Sequence, residues 1–390
     1  MQDEYDDPIA AWAEDRLADL LVREQQCNED GSFCAPRMEH WRERIEHTNG
    51  QLPPRRPAPS VYYRSQVDTP YYLSLARWWH NRNGTAPSVA EEDADPALAR
   101  PFCEPDCGLV FQRSPERFTS FSWRACRTGA QGLVIPRGGD HMAEWEGNLV
   151  SRFHVRGAEC DRRVIRHEEH TFEGGIATVG TMAACTDQIT HTIAFAALPD
   201  GRTTIYYSNA CATARVQLLL HEGMCLNVAN DVFNDNQRHF SWQGGDRQIT
   251  GQGADREEIR LTTPWLNIDD MLGVVEIDGR ERFTICVNGE RRAEGHSICY
   301  DEVQHPHTEL RRDLAPGAII EDTAVALVTG LDSDETGRWP GWHIGPRRTI
   351  DATRVTTVRG MDDVWYLMAA SYNDSPVDVH MLLTMQAAGA

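Results

Sequence analysis

Side chains able to transfer protons stand at two places where a loop or a turn would present them. His141 lies in the loop RGGDHMAEW, and Tyr206 and Tyr207 follow the turn Leu198-Pro199-Asp200-Gly201. Histidine and tyrosine can take up and return protons in a catalytic site. The loop is equally compatible with an ordinary Gly-rich surface connection. For the tyrosines the alternative is structural, since neighbours on a strand face opposite ways and one of them must point inward.

The densest polar segment of the second half is NDVFNDNQR, residues 230–238. Asn236 and Arg238 could hold a substrate carboxylate, because the arginine fork matches a carboxylate with two hydrogen bonds. Asp231 and Asp235 could instead supply hard oxygen ligands for calcium. A plain asparagine-rich turn is the third interpretation. Apart from the calcium alternative, the sequence indicates no cofactor.

Aromatic and acidic side chains suggest a second kind of site. Trp145, Trp242 and Trp339 could stack on the faces of sugar rings if they are exposed. Glu144 and Glu146 are two apart and would face one way on a strand. The acid and base of a glycoside hydrolase normally come from separate elements, which makes this pair the weaker indication.

Three other motifs do not have the spacing that their chemistry needs. His167-Glu168-Glu169-His170 places its histidines three apart in a predicted strand, where they face opposite ways, so we expect an exposed hairpin rather than a zinc site. The segment from Asp332 to Gly337 lacks the downstream glutamate of a calcium loop and predicts a solvated acidic turn. Cys103 and Cys107 have no second ligand pair at zinc spacing.

Composition excludes several classes of function. The formal net charge is −21, from 59 acidic and 38 basic residues, which would repel nucleic acid and anionic membrane surfaces. No lysine occurs, so a Walker loop and a pyridoxal Schiff base cannot form. The first residues, MQDEYDDPIAAW, have no basic region and no apolar run, so they do not predict a secretory signal. No window approaches the ~20 apolar residues that predict a membrane span. The odd number of cysteines, 11, leaves at least one unpaired and allows one loop disulfide.

The hydrophobic period changes near residue 100. Residues 1–98 predict a helical lead-in, with helices over 8–25, 35–48 and 70–81. From Gly108 onward, short alternating segments predict a dozen or more strands, and therefore a mainly β protein with a large antiparallel β-sandwich over 99–312. A second break over 305–317 makes residues 313–390 either a small C-terminal β domain or the completion of the sandwich.

Four phrases carry a resemblance to a known group of enzymes. These are FTSFSWRA at 118–125, EWEGNLVSRF at 144–153, AALPDGRTTIYY at 196–207 and PWLNIDDMLGVV at 264–275. Together with the order of helical lead-in, large sandwich and small terminal sandwich, they resemble the downstream part of polysaccharide lyases of the heparinase and chondroitin or hyaluronate lyase type. The likeness covers about residues 65–390 of this sequence.

The resemblance implies β-elimination beside a uronic acid of an acidic polysaccharide. Such a reaction needs a partner for the carboxylate, a base for the C5 proton and an acid for the leaving oxygen. Asn236 and Arg238 are of the right type for the first role, and His141 and Tyr206 for the others. The family's α-helical toroid would lie upstream of Met1, and its extracellular substrates imply an exported parent protein.

Two other functions remain open. One is a non-catalytic carbohydrate-binding or assembly module that stacks sugars on Trp145, Trp242 and Trp339. The other is the accessory sandwich of a glycoside hydrolase that uses Glu144 and Glu146. In all three cases the expected partner is a polysaccharide, and the sequence determines neither the glycan nor the oligomeric state.

Overall fold

The computed structural model describes residues 26–27, 33–34 and 101–371, except 107, 115, 125–132, 137–148, 156–157, 230–237, 250–256, 279–281, 288–299, 307–308 and 351–352. The predicted helices over 8–25, 35–48 and 70–81 lie outside these residues. Within the described part of the chain, no helix is long and apolar enough to cross a membrane.

The described residues form 26 strands and one helix, α1, at Ser333–His343. The first thirteen strands are β1 Gln26–Cys27, β2 Phe33–Cys34, β3 Phe102–Glu104, β4 Leu109–Arg113, β5 Arg117–Ser122, β6 Leu133–Pro136, β7 Arg152–Val155, β8 Ala158–Glu159, β9 Arg162–Phe172, β10 Gly175–Ala184, β11 Ile189–Ala197, β12 Thr203–Ala212 and β13 Val216–Glu222. The others are β14 Met224–Ala229, β15 Arg238–Trp242, β16 Gly245–Ile249, β17 Glu257–Thr262, β18 Trp265–Ile268, β19 Leu272–Asp278, β20 Arg282–Val287, β21 Tyr300–His305, β22 Glu309–Leu314, β23 Ile319–Thr329, β24 Ile344–Ile350, β25 Thr353–Arg359 and β26 Trp365–Ser371.

A nine-stranded antiparallel sheet organises the molecule. Its order is β16-β15-β18-β19-β23-β12-β11-β10-β9, so the β15–β16 hairpin lies at one edge and the β9–β10 hairpin at the other. The central strand β23 is buried at nine of its eleven positions. Its second half, Ala324 to Val328, is continuously apolar because both faces of the sheet are covered there.

One face of this sheet packs against smaller sheets to form the main core. The covering sheets are β3-β4-β5-β6, β14-β21-β20-β17 and β22-β13-β7-β8. Phe121 and Trp123 enter the core from the first of these sheets, and Phe283 enters from the second. Phe195 and Phe240 face them from the nine-stranded sheet. Two packed layers of antiparallel sheet make a β-sandwich, which confirms the predicted mainly β class.

The other face of the sheet is covered by α1 and the three-stranded sheet β24-β25-β26. Trp339 of α1 and Val358 of β25 pack there against Ile205, Val275 and Ala326. These contacts bury the second face, which explains why strands in the middle of the sheet do not alternate between apolar and polar residues.

Helix α1 corrects the prediction of a solvated acidic turn at 332–337. The Asp332 carboxylate accepts a hydrogen bond from the Glu335 backbone N–H at 2.8 Å, and the Glu335 carboxylate accepts one from the Asp332 N–H at 3.1 Å. This reciprocal pair is a capping box, which satisfies two backbone donors at the start of a helix. The D-x-x-E pattern therefore marks the start of a helix here, a signal that the comparison with a calcium loop does not test.

The strands follow most of the alternating segments, and the turn at 198–201 joins β11 to β12 as expected. The boundary predicted between residues 312 and 313 falls inside β22, and β23 completes the nine-stranded sheet. Residues 319–329 therefore belong to the large sandwich, while β24 to β26 form a separate sheet on its outer face. The extent of the lead-in over 1–98 stays a prediction.

Candidate functional site

A groove at one edge of the nine-stranded sheet combines aromatic and polar side chains. Strands β15 and β16, the start of β18 and the first half of α1 form its walls, and it encloses about 900 Å³. We call it the tryptophan groove. The side chains and backbone that line it are His239, Ser241, Trp242, Gln243, Gly245, Asp246, Trp265, Ser333, Asp334, Gly337 and Arg338.

Two half-buried indoles, Trp242 and Trp265, form the apolar part of the groove. Trp242 packs against the main core, and Trp265 packs against the outer cluster beneath α1. A Cβ atom added to Gly245 would lie 3.1 Å from the Trp242 ring, and one added to Gly337 would lie 3.1 Å from the Trp265 ring. Each ring thus lies closely against a glycine that also lines the groove, and this contact helps to fix the ring.

His239 supplies the imidazole of the tryptophan groove, and it is flanked by carboxylates. Its Nε2 lies 3.5 Å from an Asp246 oxygen and its Nδ1 lies 4.0 Å from an Asp270 oxygen. On the helix side of the groove, Arg338 and Asp334 form an exposed pair at 3.9 Å. The groove therefore offers a proton-transfer group, acceptors and a guanidinium donor around the two indoles.

The turn from β18 to β19 positions part of this groove. Asp269 and Asp270 both adopt left-handed backbone conformations, with φ of 57° and 50°. The Asp269 carboxylate accepts a hydrogen bond from the His239 backbone N–H at 2.7 Å and pairs with Arg238. The Asp270 carboxylate accepts one from the Ser333 N–H at 3.0 Å, at the start of α1. Two strained residues thus tie strand β15 and helix α1 to one turn, and such strain is common where a site must be held rigid.

A second set of polar side chains lies between the sheets. Its members are Glu321, His221, Ser151, His191 and Ser208. Glu321 accepts hydrogen bonds from His221 Nε2 at 2.7 Å and from the Ser151 hydroxyl at 2.9 Å, and His191 Nε2 lies 2.8 Å from the Ser208 hydroxyl. Although burial raises the pKa of Glu321, the hydrogen bond and charge of His221 hold it below its ordinary value. Burial lowers the pKa of His191 to about 4. All five side chains are inaccessible, so this network stabilises the sandwich.

Another buried ion cluster joins two of the inner sheets. The Arg152 guanidinium donates to both oxygens of Glu302, at 3.1 and 2.7 Å, and its Nε lies 2.9 Å from Glu222. Arg152 belongs to β7, Glu222 to β13 and Glu302 to β21. The bidentate geometry and the second carboxylate compensate the cost of burying the guanidinium. The cluster therefore links the β13 and β21 sheets.

The structure places the predicted site residues in different environments. Tyr206 is fully buried in the main core, and Arg238 is buried and paired with Asp269, so neither side chain can contact a polysaccharide in this arrangement. Trp339 is only 2% exposed and stacks on His343 with the ring planes 2° apart, which corrects the expectation that it is an exposed stacking residue. Trp242 is half-buried and lines the groove.

The remaining predictions lie outside the described residues. These are His141, Trp145 and Asn236, the pair Glu144 and Glu146, and the calcium ligands Asp231 and Asp235. Within the part of the chain that the structure describes, no group of three or more His, Cys, Asp or Glu side chains could hold a metal ion.

Sequence reasoning did not single out Trp265, His239 or Arg338. His239 directly follows Arg238, and alternation along β15 turns its side chain to the opposite face from the buried arginine. Trp265 lies within PWLNIDDMLGVV, one of the four segments that carry the resemblance to polysaccharide lyases. The signal that could have found His239 is this alternation away from Arg238, whereas no local pattern pointed to Trp265 or Arg338.

No protein-family model matches this chain, and a comparison with curated proteins finds no match. Among solved structures, the chain is similar to a xanthan lyase from Paenibacillus, with 10% identity and a TM-score of 0.48 over 79% of this chain and 32% of that one. It is similar to a chondroitin AC lyase from Streptomyces coelicolor A3, with 11% identity and a TM-score of 0.43 over 71% of this chain and 39% of that one. It is also similar to an α-galactosidase from Lactobacillus brevis, with 8% identity and a TM-score of 0.41 over 59% of this chain and 40% of that one.

The chain thus spans about a third to two fifths of the length of these three proteins. The likeness is weak, with all three TM-scores below 0.5.

Proposed function

We propose that this chain is the saccharide-binding β-sandwich portion of a carbohydrate-active protein, and that the tryptophan groove holds the saccharide. The observation that carries the proposal is the pair of half-buried indoles, Trp242 and Trp265, in one groove with polar groups around them. Both rings are fixed by packing beneath them, so a ligand would not have to order them on binding.

The chemistry of the groove suits a sugar. A pyranose presents C–H groups on its faces, which stack on an indole, and hydroxyls around its edge, which donate and accept hydrogen bonds. Carboxylates of Asp246 and Asp334 accept hydrogen bonds, while Arg338 and the Gln243 amide donate them. A groove of about 900 Å³ lies within the usual size range of binding pockets.

Affinity electrophoresis through gels that contain a soluble polysaccharide tests this proposal. The polymers are a neutral β-glucan, a galactomannan, polygalacturonate and hyaluronate. We expect at least one of them to retard the wild-type chain, and both Trp242→Ala and Trp265→Ala to reduce the retardation. Trp342→Ala is the matched control, because Trp342 is 64% exposed on α1 and does not line the groove.

Equal loss of retardation in the control would mean that exposed tryptophans bind polymer non-specifically. Retardation unchanged by both groove variants would overturn the assignment of the site. Thermal unfolding of each variant shows whether its fold is intact.

A polysaccharide lyase acting on a uronate glycan is the second candidate function. The observation that favours it is that His239 and Arg338 line the same groove. In this proposal Arg338 would pair with the uronate carboxylate, and His239 would remove the C5 proton. The C4–C5 double bond would form as the C4–O bond breaks, and the leaving oxygen would take a proton from water. His141 and Asn236 remain candidates for the same chemistry.

Ultraviolet absorbance tests the lyase candidate. β-Elimination leaves an unsaturated uronate, and its formation adds new absorbance. We expect absorbance to rise with polygalacturonate or hyaluronate, and to stop rising in His239→Ala and Arg338→Ala. His170→Ala is the control, because the His170 side chain is 67% exposed outside the groove. A flat trace with retained polymer binding would reject the lyase and leave the saccharide-binding proposal standing.

A further inference from the structure

A second groove lies at the opposite edge of the nine-stranded sheet, beside β9 and β10, and encloses about 720 Å³. We call it the arginine groove. Three arginines line it in a chain whose net charge is −21. Its lining is Asp106, Trp123, Arg124, Asp161, Arg162, Arg163, Val164, His167, Ala183, Thr186 and Asp187.

A disulfide joins the two walls of the arginine groove. Cys160 is bonded to Cys185. The first directly precedes Asp161, Arg162 and Arg163, and the second directly precedes Thr186 and Asp187. The bond therefore fixes the spacing between the wall that carries two arginines and the turn that faces them.

The turn from β10 to β11 is rigid for a second reason. Cys185, Thr186 and Asp187 all have left-handed backbone conformations, with φ of 54°, 58° and 63°. Consecutive non-glycine residues rarely adopt this conformation, which costs energy that surrounding structure must compensate. Asp187 then pairs with Arg163 at 3.0 Å. Turn, disulfide and ion pair together preorganise this part of the groove.

The Arg163 guanidinium is held but remains available to a ligand. Arg163 and its partner Asp187 are each about two-thirds exposed, whereas the Arg162 side chain, paired with Glu159 at 2.5 Å, is only 9% exposed. Exposed ion pairs contribute little free energy because water screens them. An incoming anion can therefore share or take over the Arg163 guanidinium at low cost.

The floor of the groove carries an oriented imidazole. His167 Nδ1 lies 2.5 Å from a carboxylate oxygen of Glu169, whose side chain is 4% exposed. The His167 ring lies nearly parallel to the Trp123 indole, with centroids 6.3 Å apart and planes 9° apart. A buried carboxylate at Nδ1 fixes the ring and leaves Nε2 as the nitrogen for a group in the groove.

We propose that the arginine groove is a second glycan site, which binds an anionic sugar through a carboxylate or sulfate ester. The arginines supply forked donors for the anionic group. The carboxylates of Asp106 and Asp161 accept hydrogen bonds from the hydroxyls of the same sugar, and His167 gives a further polar contact. A groove with both kinds of group matches a sugar that has hydroxyls and one charge, whereas a bare polyanion would be repelled by the aspartates.

Isothermal titration with three trisaccharides tests the proposal, using a galacturonate, a sulfated galactose and an uncharged galactose trisaccharide. We expect the wild-type chain to bind at least one anionic trisaccharide at least tenfold more tightly than the uncharged one. The double variant Arg124→Gln/Arg163→Gln should lose that preference. The galacturonate and sulfated ligands distinguish carboxylate from sulfate recognition.

Arg260→Gln is the matched control, since Arg260 is half-exposed on β17, away from the groove, and pairs only loosely with Glu258 at 3.8 Å. Binding that persists in the double variant, or that falls equally in the control, would overturn the proposal, and so would equal affinity for charged and uncharged trisaccharides. The variant Trp242→Ala/Trp265→Ala should keep the anionic preference, which separates this site from the tryptophan groove.

Discussion

The two grooves lie at opposite edges of one sheet, yet they are built differently. In the tryptophan groove, packing of indoles on glycines fixes the apolar surface, and charged groups stand at its rim. In the arginine groove, a disulfide and a strained turn fix the charged groups themselves. In our proposals, one edge recognises sugar faces and the other recognises a sugar's charge, while the sheet between them keeps both grooves in place.

The largest effect is expected from Glu321→Ala, in the central strand that both grooves share. Removing this buried carboxylate leaves His221 and Ser151 without their acceptor and should cost about 3–5 kcal/mol of unfolding free energy. Urea unfolding measures this loss, with the exposed Asp313→Ala as the control. The folded variant should retain binding at both grooves, and selective loss at one groove would show that the sheet is not a common platform.

Removing the disulfide should affect binding at the arginine groove but not at the tryptophan groove. The variant Cys160→Ser/Cys185→Ser opens a loop of 25 residues and should lose roughly 3–4 kcal/mol of unfolding free energy. Binding of the anionic trisaccharide should weaken, while retardation by polymers at the tryptophan groove should not change. Calorimetry and electrophoresis measure the two quantities, and an equal loss at both grooves would contradict a local clamp.

The shared sheet should also give a pH dependence. The pKa of buried His191 is about 4 in the folded protein against an ordinary value of 6.5, so the unfolded chain binds more protons between these values. Stability should therefore fall by roughly 3 kcal/mol as the pH drops from 6.5 to 4. The lowered pKa of Glu321 adds a further loss as the pH falls below the ordinary glutamate value of 4.5.

Unfolding measured in urea from pH 7 to pH 4 tests this expectation. His191→Gln should flatten the pH dependence, whereas His170→Gln, at an exposed position, should leave it intact. A wild-type slope that persists in His191→Gln would assign the acid sensitivity to another group.

Trp265→Ala should weaken the affinity for the saccharide tenfold, which corresponds to about 1.4 kcal/mol of binding free energy, because one of two stacking faces is lost. The same variant should bind the anionic trisaccharide like wild type. Titration of the saccharide and of the anionic trisaccharide into one protein preparation measures both affinities. An equal loss of affinity for the two ligands would mean that they bind at one site.

Salt should produce the smallest effect. Raising the ionic strength from about 0.01 M to about 0.15 M shortens the range of charge interactions from roughly 30 Å to 8 Å. We expect affinity in the arginine groove to fall severalfold and affinity in the tryptophan groove to change by less than twofold. Titration at both ionic strengths checks this, and a salt-independent anionic preference would contradict recognition through guanidiniums.

Sequence reasoning reached one member of the tryptophan groove, Trp242, and missed its partner Trp265. The two are 23 positions apart in the chain, and only the pairing of β15 with β18 brings their strands side by side. Arg238 was chosen for its type, but alternation along β15 places it inward while His239 faces the groove. Residue type alone does not give the face of a strand, which depends on register.

The acidic segment at 332–337 shows a different limit. Its capping box is local and readable, yet whether a D-x-x-E pattern begins a helix depends on a buried face for that helix to pack upon. Trp339 is buried by such packing, on the outer face of the sheet. Because of this packing, Trp339 is not one of the exposed aromatic residues that the sequence analysis expected.

The sequence by itself determined the mainly β class and the β11–β12 turn, because alternation and turn residues are local properties. Only the tertiary structure decided which side chains share a groove. Trp242 and Trp265 line one groove with α1, and Arg163 pairs with Asp187 beside the disulfide, through strand order and register. These depend on contacts between distant segments, and no local pattern in the chain encodes them.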